Sequence, residues 1–187
     1  MLQQHCTFFD RDNDGIIWPL DTYIAFRQLG YSIFISVLSL LVIHLNFSYP
    51  SLPKGHYLPD PFFRVYLDKI HKDKHGSDSG TYDNEGRFIP QKFEDIFAKY
   101  GGTTDGKKDG LTFRETLTYM HGQMVVFDLF GWGGATFEWL ATWLLLWPEE
   151  GFFVGKIRRE DIRGVYDGSL FYEIAERRRV KKGGRLI

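Results

Sequence analysis

Asp10, Asp12 and Asp14 alternate along a short stretch and are followed at once by Gly15. Three carboxylates this close repel one another, and a hard cation relieves the repulsion. Their spacing matches the first, third and fifth positions of a helix-flanked calcium loop, and Gly15 falls at the sixth, where the chain must turn sharply. Ile16 takes the seventh position and offers its backbone carbonyl. Ile17 supplies the apolar eighth. Asp21 stands at the twelfth, where a glutamate usually reaches the ion with both oxygens. The predicted calcium ligands are therefore Asp10, Asp12, Asp14, Ile16 and Asp21. The shorter Asp21 predicts a looser shell, with weaker calcium binding or more tolerance of magnesium. The competing reading is an acidic surface turn.

Such a loop needs a helix on either side, the arrangement of an EF-hand. The entering helix is expected to be short, and the exiting one to cover residues 22–29, with Tyr23, Phe26 and Leu29 on one face. An acidic–glycine–apolar signature then recurs around Gly86, Gly110 and Gly151. Around Gly86, Asp83 and Glu85 hold ligand positions but Thr81 and Lys92 do not. Around Gly110, the late Glu115 comes one residue too early. This predicts a mainly α fold of EF-hand-like helix–loop–helix units in two pairs, the first loop intact and the later ones degenerate. Ile17 is expected to pair with Phe88 across two loops. Further helices are expected over 62–70, 93–100 and 116–128, over the apolar stretch 137–147, and from about Arg159.

No formally charged residue lies between Arg27 and Lys54, and residues 32–49 are nearly all apolar. Pro50, Pro53, Pro59 and Pro61 follow and must turn the chain. The stretch reads either as a membrane-inserted segment, spanning or dipping into one leaflet or a lipid-droplet monolayer, or as a buried core helix. Pro61-Phe62-Phe63 suits an interface. Trp139, Trp143 and Trp147 form an aromatic stripe at helical pitch, a wall for a cofactor or lipid or else ordinary core. The resulting division is 1–28, the calcium unit; 29–61, the apolar segment with its proline turn; 62–176, a helical region; and 177–187, a basic tail. That tail is either solvated or drawn to anionic head groups.

Across 187 residues, 23 basic side chains balance 24 acidic ones, so nothing draws the chain globally towards nucleic acid. The single cysteine, Cys6, excludes an internal disulfide and suits a reducing compartment. Met1-Leu2-Gln3-Gln4-His5 has neither the basic start nor the apolar core of a cleavable signal, so none is expected.

Several blocks together resemble the caleosins, calcium-binding haem peroxygenases of plant and fungal lipid droplets. They are Leu2-Gln3-Gln4-His5, Gly15-Ile16-Ile17-Trp18-Pro19, Pro61-Phe62-Phe63, Ile70-His71-Lys72-Asp73-Lys74-His75-Gly76-Ser77-Asp78-Ser79, Thr81-Tyr82-Asp83-Asn84-Glu85-Gly86-Arg87-Phe88, Phe130-Gly131-Trp132, Gly151-Phe152 and Asp167-Gly168-Ser169-Leu170-Phe171. The resemblance covers residues 2 to about 173. It implies a b-type haem and transfer of oxygen from fatty-acid hydroperoxides to unsaturated lipids or sulfides. It places the haem-associated, catalytic histidines at His5 and His75, one as proximal ligand and the other as a displaceable ligand or acid–base group. The implied location is the lipid-droplet surface, endoplasmic reticulum or microsomal membrane. The alternative is a non-enzymatic, calcium-regulated droplet coat or tether. His71 reads as a neighbour or supporting donor of His75, His44 as a boundary residue of the apolar segment, and His56 and His121 as surface. Cys6 should face away from the side of the helix that carries His5.

Overall fold

The computed structural model describes residues 1–103, 105–181 and 183. The chain is mainly helical and divides into two compact units, Met1–Asp73 with Val165–Ile187, and Lys74–Gly164.

In the first unit, α1 (Leu2–Thr7) leads through the acidic loop into β1 (Ile16–Ile17) and α2 (Pro19–Gln28). Pro19 opens α2 with a preset φ and no backbone N–H to satisfy. Asp21 Oδ2 accepts from Trp18 N at 3.1 Å and closes the cap. Next comes α3 (Ile33–Phe47), started by Ser32 Oγ, which accepts from Ile35 N at 3.2 Å. Residues 48–64 return the chain to β2 (Val65–Tyr66) and a 3₁₀ helix, Leu67–Asp73. β1 and β2 pair antiparallel, Ile16 opposite Tyr66 and Ile17 opposite Val65. Ile17, Val65, Leu67 and Ile70 form one core cluster, covered by Leu2, Cys6, Phe9, Ile43 and Phe47. The unit therefore runs helix–loop–strand–helix twice, with the apolar helix α3 leading the second half.

The pairing corrects one sequence expectation: Ile17 meets Val65, whereas Phe88 bridges Tyr82 within its own turn. Closing so short a loop costs little entropy, so Phe88 finds its partner locally. Residues 62–70 are strand and 3₁₀ helix rather than α-helix, because Val65 and Tyr66 are taken up by β1.

α3 turns its polar residues inward, apart from Asn46 in its last turn. Ser36, Ser39 and His44 are buried, while Ile33, Phe34, Val37, Leu38, Leu41 and Leu45 are exposed. The two serine hydroxyls satisfy themselves on the carbonyls of Ser32 and Ile35. His44 is no boundary residue. Its Nδ1–H donates to the Phe63 carbonyl at 2.7 Å, which leaves Nε2 to accept from Thr22 Oγ1 at 2.7 Å. Among the described residues no helix is long and apolar enough to cross a membrane. The 15 residues of α3 rise ~22 Å, short of a hydrocarbon core about 30 Å thick.

The rest of this unit is α8 (Ser169–Lys181), so most of the basic run is helical, with Arg177 on Glu173 and Arg179 on Glu176. The end of that run, at 182 and 184–187, lies outside the described residues.

The second unit repeats the arrangement: α4 (Pro90–Tyr100), β3 (Gly110–Thr112) and α5 (Phe113–Gly122), then α6 (Leu129–Leu145), β4 (Lys156–Arg158) and α7 (Arg159–Asp167), whose end from Val165 on belongs to the first unit. β3 and β4 pair antiparallel, with Leu111 opposite Ile157. Gly110 is required at that contact, since a Cβ would stand 2.2 Å from the Ile157 carbonyl oxygen. The helix expected over 116–128 ends at Gly122, because Asp128 caps α6: its Oδ1 accepts from Gly131 N at 2.9 Å. Trp139 and Trp143 are core, and Trp143 Nε1 donates to Thr116 Oγ1 at 3.1 Å. Trp147 lies beyond the helix and is exposed.

Candidate functional site

The acidic loop is built by local bonds. Asp10 is buried at the end of the turn that follows α1, and its carboxylate accepts from Gly15 N at 2.9 Å and Asp14 N at 3.2 Å. Asp14 Oδ1 accepts from Ile16 N at 2.8 Å. Asn13 and Gly15 take left-handed φ values of 58° and 82°, which bends the loop back on itself. Asp10, Asp12 and Asp14 consequently bring one oxygen each within 4.8 Å of the others. Burial raises the Asp10 pKa. The bonds from Gly15 and Asp14 oppose the rise, and the charges of Asp14 and Asp12 add to it. A hard divalent cation would remove that strain. Ile16 lies in β1 against Tyr66, and Leu67 N closes on the Gly15 carbonyl at 3.0 Å. Asp21 stands outside the three-aspartate cluster, its carboxylate holding Trp18 N and, at 3.6 Å, Arg11 Nη1.

His5 lies on α1, five residues before Asp10. Its Nδ1 sits 2.6 Å from the Val165 carbonyl oxygen. A carbonyl only accepts, so Nδ1 carries a proton, and in the neutral form of the ring the lone pair is on Nε2. Phe171 stands edge-on to the ring, with centroids 5.1 Å apart, and Gly168 lets the backbone approach: a Cβ there would lie 2.9 Å from His5 Cα. A histidine whose Nδ1–H is committed to a carbonyl is the usual form of an iron or zinc ligand, which binds through Nε2. The residues around His5 therefore fit a haem-ligating role.

Cys6 does not compete for it. Burial, with the charge of Asp73 adding, pushes its thiol up to about 12, so no thiolate is present near neutral pH. Asp73 itself has both carboxyl oxygens buried without a hydrogen-bond partner among the described residues, and burial raises it to about 8.

His75 belongs to the second unit. Its side chain is 6% exposed, with Nε2 3.8 Å from Glu138 Oε1 on α6. Its Nδ1 is buried with no partner among the described residues. Phe130 is edge-on to the ring, and Gly134 leaves room where a Cβ would lie 3.4 Å away. Glu138 raises the pKa of His75, against the opposing effect of burial. An orphaned buried nitrogen beside a carboxylate-paired one suits a ring awaiting a ligand or moving a proton. The loop carrying His75 is pinned to α6 by Asp128 Oδ2, which accepts from Ser77 N and Ser77 Oγ, both at 2.7 Å, while Ser77 Oγ accepts from Val125 N at 3.1 Å.

The sequence reading did not identify Asp73, Ser77, Asp128, Glu138 or the Val165 carbonyl. Only Asp128 left a signal, as an aspartate immediately before a helical stretch. His71 is half-buried in the 3₁₀ helix, and His56 and His121 are exposed.

The family described as caleosin related protein matches residues 1–175. A peroxygenase of Lilium longiflorum is 39% identical over 178 residues, covering 95% of this chain and 71% of its own length. Probable peroxygenase 4 of Arabidopsis thaliana is 35% identical over 181 residues, covering 96% and 88%. A probable inactive peroxygenase-like protein of Arabidopsis thaliana is 30% identical over 157 residues, covering 82% and 69%. No solved structure matches the chain significantly. A mainly helical chain of two strand-paired units, alike over nearly its whole length to peroxygenases, is an enzyme of the peroxygenase class. It belongs to the caleosin family.

Proposed function

We propose that the chain is a calcium-dependent haem peroxygenase, acting on fatty-acid hydroperoxides at the surface of lipid droplets or of the endoplasmic reticulum, and transferring oxygen to unsaturated lipids or sulfides. The observation that carries the reading is His5, whose Nδ1–H is held at 2.6 Å by the Val165 carbonyl so that in the neutral ring the lone pair is on Nε2. Haem b, when bound, supplies the redox chemistry of oxygen–oxygen cleavage. His5 would hold the haem iron, its ring fixed by Val165 and Phe171. His75 is the second haem-associated histidine and moves the proton of the hydroperoxide, with Glu138 stabilising its protonated form. Asp128 and Ser77 position the loop that carries it.

The acidic loop is proposed as an EF-hand calcium site, with Asp10, Asp12, Asp14 and the Ile16 carbonyl as ligands. Asp21 completes it by leaving its cap contact. Because Asp10 follows α1 directly, an ion there fixes the end of the helix that bears His5. The lipid contact is proposed for α3, whose exposed side chains are apolar apart from Asn46 near its end, while Ser36, Ser39 and His44 point inward. Its length suits insertion into a monolayer rather than a span, and the exposed Tyr57, Leu58, Phe62 and Phe63 extend the same kind of surface. The residue ranges 1–28, 29–61, 62–176 and 177–187 are proposed as the corresponding functional segments.

The test is haem absorbance and peroxygenase rate in the wild type, His5→Ala and His75→Ala. His5→Ala should lose the Soret band. His75→Ala should keep most of it and lose at least a hundredfold in rate. Full activity in both variants refutes the haem assignment, and a wild type without a Soret band after haem reconstitution favours the non-enzymatic droplet coat.

A further inference from the structure

Two aspartates in other loops each have a cation of their own. Asp60 holds Arg64 Nε at 2.7 Å, and the Arg64 guanidinium lies 5.0 Å from the centre of the Trp18 ring. Asp83 holds Arg87 Nε at 2.7 Å. The loop before β3 goes further, because its cation comes from a distant strand. Lys156 on β4 places Nζ 2.8 Å and 3.0 Å from the two oxygens of Asp105, 2.9 Å from Asp109 Oδ1 and 3.1 Å from the Lys107 carbonyl. The register Thr112 opposite Lys156 delivers it there.

Three carboxylate oxygens and a carbonyl around one centre are oxygen donors of the kind calcium takes, four of the roughly six to eight it needs. The Lys156 side chain is only 18% exposed, so its ammonium sits within the loop rather than over it. Burial lowers the Lys156 pKa, but the bonds from Asp105 and Asp109 outweigh it and the net shift is upward. Those same bonds hold Asp105 and Asp109 below the ordinary carboxylate range. The late acid of the loop has been diverted: Glu115 accepts from Thr103 N and Thr103 Oγ1, both at 2.6 Å, and from Thr112 N at 2.8 Å.

We propose that the loop around Asp105 and Asp109 is a cation site permanently filled by the Lys156 ammonium, which makes this loop insensitive to calcium. A tethered ammonium is present at an effective concentration on the order of millimolar or above, so a free ion must displace it from every ligand at once. The lysine thus does for the β3–β4 pair what an ion would do, and holds the loop at any calcium concentration.

The test is to remove the charge and keep the stem. Wild type, Lys156→Gln and Lys156→Gln with Asp105→Asn are titrated with calcium by calorimetry and with terbium by sensitised luminescence. Lys156→Gln should bind one more ion per chain than the wild type, and the double variant should lose that extra ion. The count is a difference between variants, so it stands whether or not the Asp10 loop binds calcium. Lys156→Gln should also melt lower in chelator and recover on adding calcium. If it folds only with calcium, the proposal gains the same support; if it folds with neither, the lysine is a structural group and the proposal is overturned. An unchanged ion count in a folded Lys156→Gln, or a fall in count when Asp105→Asn is made in the wild type, overturns it as well.

Discussion

Replacing Asp10 with asparagine separates a metal site from an acidic turn. Asp10 is buried, and one of its oxygens lies within 4.8 Å of one oxygen each of Asp12 and Asp14. Two unit charges at that separation repel by roughly 1 kcal/mol under water-like screening and about 3.5 kcal/mol at an effective dielectric of 20. Asp12 and Asp14 are exposed, so the lower figure applies, giving about 2 kcal/mol of repulsion relieved over two pairs. Against this, Asp10 accepts from both Gly15 N and Asp14 N, and asparagine has one acceptor oxygen, so one bond worth about 1 kcal/mol is lost. In chelator, Asp10→Asn should therefore match the wild type to within about 1 kcal/mol. With calcium at a hundredfold its Kd, the wild type gains about 2.7 kcal/mol. For a chain of this size that is a rise of roughly 5–10 °C in Tm. At the same calcium concentration the variant, one anionic ligand poorer, should rise by less than about 2 °C. Scanning calorimetry with chelator and with calcium measures all four values. Equal calcium shifts in the two proteins would refute the ligand assignment. A variant several kcal/mol weaker in chelator would show that Asp10 holds the turn for its own sake.

Two further outcomes follow from the first unit. Phe34→Ser, Leu38→Ser and Leu41→Ser together should weaken flotation with lipid droplets or phospholipid-coated triolein emulsions at least tenfold while leaving Tm nearly unchanged, because these side chains are exposed in the protein. Binding that survives the triple change would remove α3 as the lipid contact. In the metal- and haem-free protein, Asp73→Asn should stabilise increasingly as pH rises from 4 towards 8. Burial raises Asp73 from 3.8 to about 8, so the folded state holds a proton that the unfolded state has lost, and the wild type loses stability as pH rises through that window. Denaturant midpoints of the two proteins that stay parallel across the range would refute the burial argument.

The acidic loop was legible because it is local. Its bonds join residues two to five positions apart, so the order of residue types nearly fixes the geometry that brings Asp10, Asp12 and Asp14 together. Helix starts are local in the same way: Pro19, Ser32 and Pro90 mark α2, α3 and α4. The likeness of the long block from Ile70 to Ser79 was legible as well, since it depends on residue identity alone.

Partner and direction were decided by the tertiary structure. A two-residue apolar strand carries no register, so Ile17 could be assigned to Phe88 or to Val65 with equal right, and only the return of the chain after α3 selects Val65. α3 is so uniformly apolar that no periodic stripe marks its inner face. Packing chose the side with the small serines and His44, because Thr22 and the Phe63 carbonyl satisfy the imidazole there, and it left the larger side chains outside. Lys156 lies 47 residues from Asp109, and no spacing rule joins a lysine in one strand to the carboxylates of another loop. The sequence by itself singled out the residues proposed to hold a cation or a haem. The fold determined which of them hold one another instead, because hydrogen bonds and charges are satisfied by whatever the packed backbone brings within about 3 Å.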